Sequence, residues 1–209
     1  MKVLASLSII TIFVLSTTTS HAQTCMLTCP ANIIVKADSS KEGAIVNYPQ
    51  STVAGECGTI TYSPFSGSFF RIGSHSITTT SGDGQKCSFT ITVTDNESPV
   101  LSVVTLSSKK IWPPSNRMKK VGVYYTASDN AEEVNSVLTV RSNDTQSTTR
   151  DWEVVNNHLL RLKASRLPDG EARVYTITVT SSDVAGNTTK RTTSIVVSKT
   201  MVVQDVVMK

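Results

Sequence analysis

From Cys87 to Thr94 the chain alternates strictly, with Cys87, Phe89, Ile91 and Val93 set against Ser88, Thr90, Thr92 and Thr94. A period of two marks a half-buried β-strand, because successive side chains leave opposite faces. The alternation stops at Asp95-Asn96-Glu97-Ser98-Pro99, where oxygen-bearing side chains and a rigid proline replace it. The stretch reads as the last strand of one sandwich running directly into a joint with the next. All four cysteines, Cys25, Cys29, Cys57 and Cys87, precede that joint.

The chain's 209 residues suffice for one large or two small domains. Lys2, the apolar run Val3 to Leu15, and Ser20-His21-Ala22 together form a secretory signal peptide, expected over residues 1–22. The apolar run is too short to span a bilayer. Loss of Lys2 would bring the formal charge from +4 to +3, far from a nucleic-acid binder. No later segment is apolar enough for membrane insertion. An even cysteine count in an exported chain reads as two disulfides. Zinc needs close pairs of ligands; Cys25 and Cys29 make one such pair, Cys57 and Cys87 do not.

Between Cys29 and Asp95, short apolar runs alternate with turns. The expected strands are 33–36, 44–48, 59–62, 69–73, 75–80 and 87–93, with a glycine-bearing hairpin turn at Ser81-Gly82-Asp83-Gly84-Gln85. Turns every eight to twelve residues or so, without a helical period, indicate a β-sandwich. Cys29-Pro30-Ala31-Asn32-Ile33, Val46-Asn47-Tyr48-Pro49, Cys57, Ser66-Gly67-Ser68-Phe69-Phe70-Arg71-Ile72-Gly73, Asp83, Cys87-Ser88-Phe89 and Val93-Thr94-Asp95 resemble the hyalin repeat (HYR) family. The resemblance covers residues 29–95. It implies an immunoglobulin-like module of adhesive and matrix proteins, without catalytic residues. It also implies a Cys29–Cys87 bridge. Many members have a cysteine where Glu42 stands here, before Gly43-Ala44. The second bridge is therefore expected to be rerouted, as Cys25–Cys57.

Beyond Pro99, seven candidate strands follow at 103–106, 121–127, 137–141, 152–155, 159–164, 173–180 and 192–198, with no cysteine. That count again indicates an immunoglobulin-like sandwich. The expected organisation is all-β: two consecutive sandwiches, residues 23–98 stapled by disulfides and residues 99–209 not. The Asp183-Val-Ala-Gly-Asn187 turn before the final strand resembles those of bacterial immunoglobulin-like repeats. Ile111-Trp-Pro-Pro-Ser-Asn-Arg-Met118 and Thr126-Ala-Ser-Asp-Asn130 resemble segments of immunoglobulin-like modules in secreted bacterial proteins, with Ser115-Asn116 in place of an Asn-His pair.

Catalytic motifs are absent. His75 and His158 sit in none, there is no phosphate loop, and the acids are scattered over turns. The chain is expected not to be an enzyme. Asp95, Asn96 and Glu97 offer hard oxygens that suit calcium, and Asp129-Asn130 can approach from the next module. This resembles the joint of cadherin-type repeats, whose full motif is missing. Lys109, Lys110, Arg117, Lys119 and Lys120 surround Trp112 with no acid between them, a patch suited to an anionic glycan. Asn96, Asn143 and Asn187 begin Asn-x-Ser/Thr triplets. The apolar run Met201-Val-Val-Gln-Asp-Val-Val207 suits pairing with a sheet edge or extension of the last strand. The expected role is a secreted adhesion or matrix protein with an extracellular protein or glycan partner.

Overall fold

The computed structural model describes residues 24–131, 133–146 and 151–199. The signal peptide and the 201–207 run lie outside the described residues. Every regular element among them is a strand.

Module one contains β1 (Met26–Thr28), β2 (Ile33–Lys36), β3 (Gly43–Val46), β4 (Thr52–Ala54), β5 (Thr61–Ser63), β6 (Ser68–Arg71), β7 (Gly73–Thr80) and β8 (Lys86–Thr94). One sheet has the order β2-β8-β7-β5, with β2 parallel to β8. The opposing layer is broken into two antiparallel pairs, β3-β6 and β1-β4. The alternation in β8 sends Phe89, Ile91 and Val93 into a core with Ile77 of β7, Phe70 of β6, and Ala44 and Val46 of β3. Cys29–Cys87 ties the entry of β2 to the start of β8, and Cys25–Cys57 joins the segments flanking β1 and β4. A core of this size benefits from such staples.

Module two contains β9 (Val100–Leu101), β10 (Thr105–Leu106), β11 (Lys110–Ile111), β12 (Met118–Tyr124), β13 (Ala127–Ser128), β14 (Asn135–Ser142), β15 (Trp152–Asn156), β16 (Leu159–Lys163), β17 (Arg173–Ser182) and β18 (Thr188–Val197). Two four-stranded sheets, β10-β12-β16-β15 and β11-β18-β17-β14, face each other, while β9 pairs with β13. This is an immunoglobulin-like sandwich. Alternate residues of β17 (Tyr175, Ile177, Val179) meet Val121, Val123, Leu160, Leu162, Ile195 and Val197 in one core.

In place of a disulfide, this core has a buried ion network at the pole away from module one. Arg173 contacts Asp144 at 2.7 Å and Asp151 at 2.9 Å, and Lys163 reaches Asp151 at 3.0 Å. The Tyr175 hydroxyl donates to the Lys163 carbonyl at 3.0 Å. Burial pushes that hydroxyl's pKa upward.

Candidate cation site at the joint between modules

The joint forms because β8 ends where its alternation ends. Asp95 then caps the turn, its Oδ1 accepting from the Glu97 amide at 3.0 Å. Ala127-Ser128 pairs with Val100-Leu101, which brings Asp129, the next residue, toward Asp95. The β17–β18 hairpin turn supplies Asp183, whose oxygens accept from the Asn187 amide at 2.8 Å and from Asn187 Nδ2 at 2.9 Å. Asp95, Asp129 and Asp183 each present a carboxylate oxygen within 4.8 Å of the others. None has an ion-pair partner among the described residues.

Two oxygens in this region are orphaned. Asp95 Oδ2 and Asn130 Oδ1 are buried and have no hydrogen-bond partner among the described residues. Asn130 is oriented by its Nδ2, which donates across the joint to the Lys41 carbonyl at 2.9 Å. Burial, and then repulsion from Asp95 and Asp183, raises the Asp129 pKa against the pull of the Ala131 and Asn130 amides. Hard oxygens, excess negative charge and unsatisfied buried acceptors fit a calcium-type cation.

Of the five joint residues expected from sequence, Asp95 and Asp129 meet, and Asn130 lies in the same loop as Asp129. Glu97 is turned elsewhere, accepting from Ser39 Oγ at 2.8 Å and from the Ser40 amide at 2.9 Å. Asn96 is exposed. The carboxylate that sequence reasoning missed is Asp183. Its only sequence signal is the Asp-x-Ala-Gly-Asn hairpin turn; the fold brings that hairpin to the same pole as the Ser-Asp-Asn turn.

Module one has a corresponding pole. There β1 pairs with β4 as β9 pairs with β13. Cys25 precedes β1, and Cys57 follows β4. The β7–β8 hairpin packs against both, since Gln85 Nε2 donates to the Cys25 carbonyl and the Gly82 amide to the Cys57 carbonyl. The Cys25–Cys57 bridge thus stands where module two has its carboxylates. One pole carries a covalent bond, the other a cluster of three carboxylates.

The remaining candidates are dispersed. Trp112 is 45% exposed in the loop after β11. Lys109 precedes β11 and Lys110 begins it, Arg117 ends the loop, and Lys119 and Lys120 follow Met118 in β12; all are exposed and lack an ion pair among the described residues. His75 Nε2 contacts the Arg71 carbonyl at 2.7 Å, and His158 stacks on Tyr125 at 4.7 Å. Asn143 is held by the Ala172 carbonyl and the Val174 amide, and Asn187 by Asp183, so both are structural asparagines.

The HYR domain model matches residues 22–93. The match takes in β1 to β7 and all but the last residue of β8, the disulfide-stapled sandwich, called the HYR module below. No curated protein matches the chain. Among solved structures, the chain is similar to protocadherin gamma B7 cadherin domains 1–4 (15% identity, 82% of this chain, 49% of that chain, TM-score 0.37). It is also similar to human mucin-like protocadherin EC1-2 (14%, 84% and 97%, TM-score 0.36). A third is titin z1z2 in complex with telethonin (13%, 86% and 98%, TM-score 0.34). The chain spans about half the length of the first of these.

Proposed function

We propose that this chain is a secreted, non-enzymatic adhesion or surface-interaction protein whose two sandwiches are fixed in relation to each other by calcium at the joint. The HYR match supports the extracellular, adhesive reading of module one. The Trp-Pro-Pro and Thr-Ala-x-Asp-Asn segments support an immunoglobulin-like module of the secreted bacterial kind for the rest. The observation that carries the joint is the meeting of Asp95, at the end of the HYR module, with Asp129 and Asp183 of module two. A cation there would be held by those carboxylates, with Asn130 Oδ1 as a neutral donor, and would supply the positive charge that the loops lack. Small-angle scattering tests this reading. The chelated protein should show a broader distribution of inter-module distances than the calcium-loaded one, and Asp183→Asn should remove the difference. Identical curves with and without calcium would return the joint to a plain linker.

A second reading, an anionic-glycan contact at the Trp112 loop, is favoured by the exposed indole and by the exposed cations that flank it in sequence, which have no acidic partner among the described residues. Trp112→Ala should weaken retention on sulfated or uronate-rich glycans while leaving thermal stability unchanged. Equal retention would remove the reading.

A further inference from the structure

In module two the sheet that carries β12 and β16 is completed by β15, which pairs with the outer edge of β16. In the HYR module the corresponding layer stops at β6, which pairs only with β3. The place that β15 fills in one sandwich has no strand among the described residues of the other. The Ile72 amide donates to the Glu42 carbonyl, so Phe70 and Ile72 direct their backbone groups at β3. Phe69 and Arg71 therefore direct theirs outward. His75 occupies the Arg71 carbonyl. The Phe69 N–H and C=O and the Arg71 N–H have no partner among the described residues.

The edge is also poorly guarded. Exposed edges are ordinarily blunted by lysine or proline. β6 is Ser-Phe-Phe-Arg, and its one charge is neutralised by Glu42 at 2.6 Å. On the outer face Phe69 lies directly opposite Ile45, and they are 47% and 58% exposed. Phe65, in the turn before β6, is 70% exposed.

We infer that this edge accepts, as an added strand, the apolar segment Met201-Val-Val-Gln-Asp-Val-Val207 of a second copy of the chain. Five of its seven residues are valine or methionine, and four of those are β-branched, which suits a strand laid beside Phe69 and Ile45. The segment cannot serve its own β6. It begins just past Lys199, and Val197 pairs with Arg173, at the opposite end of β17 from Asp183 and the joint. The ten residues of β17 span about 30 Å. Residues 200–207 reach at most about 29 Å, and β6 lies beyond the joint. Donation is therefore between copies. Because the donated segment and the receiving edge are different surfaces, each copy can give and receive, and the assembly is head-to-tail, an open chain unless the rotation between copies closes it into a ring.

Sedimentation velocity on the mature chain tests this with two variants, Phe69→Lys and a chain ending at Lys199. The mature chain should form species that lengthen with concentration, and each variant alone should stay monomeric with unchanged thermal stability. Mixed, the two variants should give a one-to-one dimer, because Phe69→Lys still donates and the shortened chain still receives. A monomeric mature chain at every concentration, or assembly that survives either change, would overturn the inference.

Discussion

Asp95 and Asp183 come from different sandwiches, and yet they bring carboxylate oxygens within 4.8 Å of each other, with Asp129 completing the triangle. Asp95 directly follows β8, the HYR module's last strand; Asp183 sits in the closing hairpin of module two. The two modules therefore meet at a cluster of like charges, where a bound cation would act on both at once.

The sign of the pH dependence follows from Asp129. Its folded pKa is raised above 3.8 by burial and by its two acidic neighbours. A raised carboxylate favours the folded state at and below the unfolded pKa, and that advantage is lost as pH rises through the folded value. In chelator, the melting temperature should therefore fall as pH climbs from the ordinary carboxylate range toward neutrality. Asp129→Asn should flatten this slope and raise the chelated melting temperature at neutral pH. A slope unchanged in the variant would show that Asp129 is not the group responsible.

At the far pole of module two, Arg173 holds Asp144 and Asp151 in a buried network, with side-chain exposures of 5%, 9% and 10%. Arg173→Met leaves two carboxylates short of charge. Breaking a buried pair from one side costs about 3–5 kcal/mol. Urea unfolding followed by tryptophan fluorescence should show a loss of that order, because Trp112 and Trp152 both lie in this module. A loss below about 1 kcal/mol, the value of a surface pair, would mean that the network contributes little.

Reduction separates the modules. The two bridges close sequence separations of 58 and 32 residues. In the chain-entropy model each stabilises by about 4 kcal/mol. Reductant should lower the urea midpoint of the HYR module, seen by circular dichroism, while the tryptophan transition stays in place. Both transitions shifting together would indicate that the modules unfold as one unit.

The strands were legible wherever one face is buried and the other wet, as in Cys87–Thr94, because the period of two survives in the sequence. β17 and β18 run longer than expected, to Ser182 and from Thr188, since threonine and serine occupy both faces near the joint and hide the period. β11 was not foreseen: two residues pairing in parallel with β18 leave no periodic trace. Asp95 and Asp129 were legible as oxygen-rich turns. The sequence marks Asp183 only as part of a hairpin, because its convergence with Asp95 depends on how the two sandwiches meet. Glu97 differs for another reason: within module one its carboxylate accepts from Ser39 and Ser40, between β2 and β3, a long-range contact that leaves no pattern in the sequence.

The most direct measurement is calorimetric titration of calcium into the chelated mature protein, alongside Asp95→Asn and Asp183→Asn. One site per chain is predicted, with binding lost or weakened at least tenfold, about 1.4 kcal/mol, in each variant. No heat in the unaltered protein, or equal affinity in Asp95→Asn and Asp183→Asn, would contradict a cation held between the two modules.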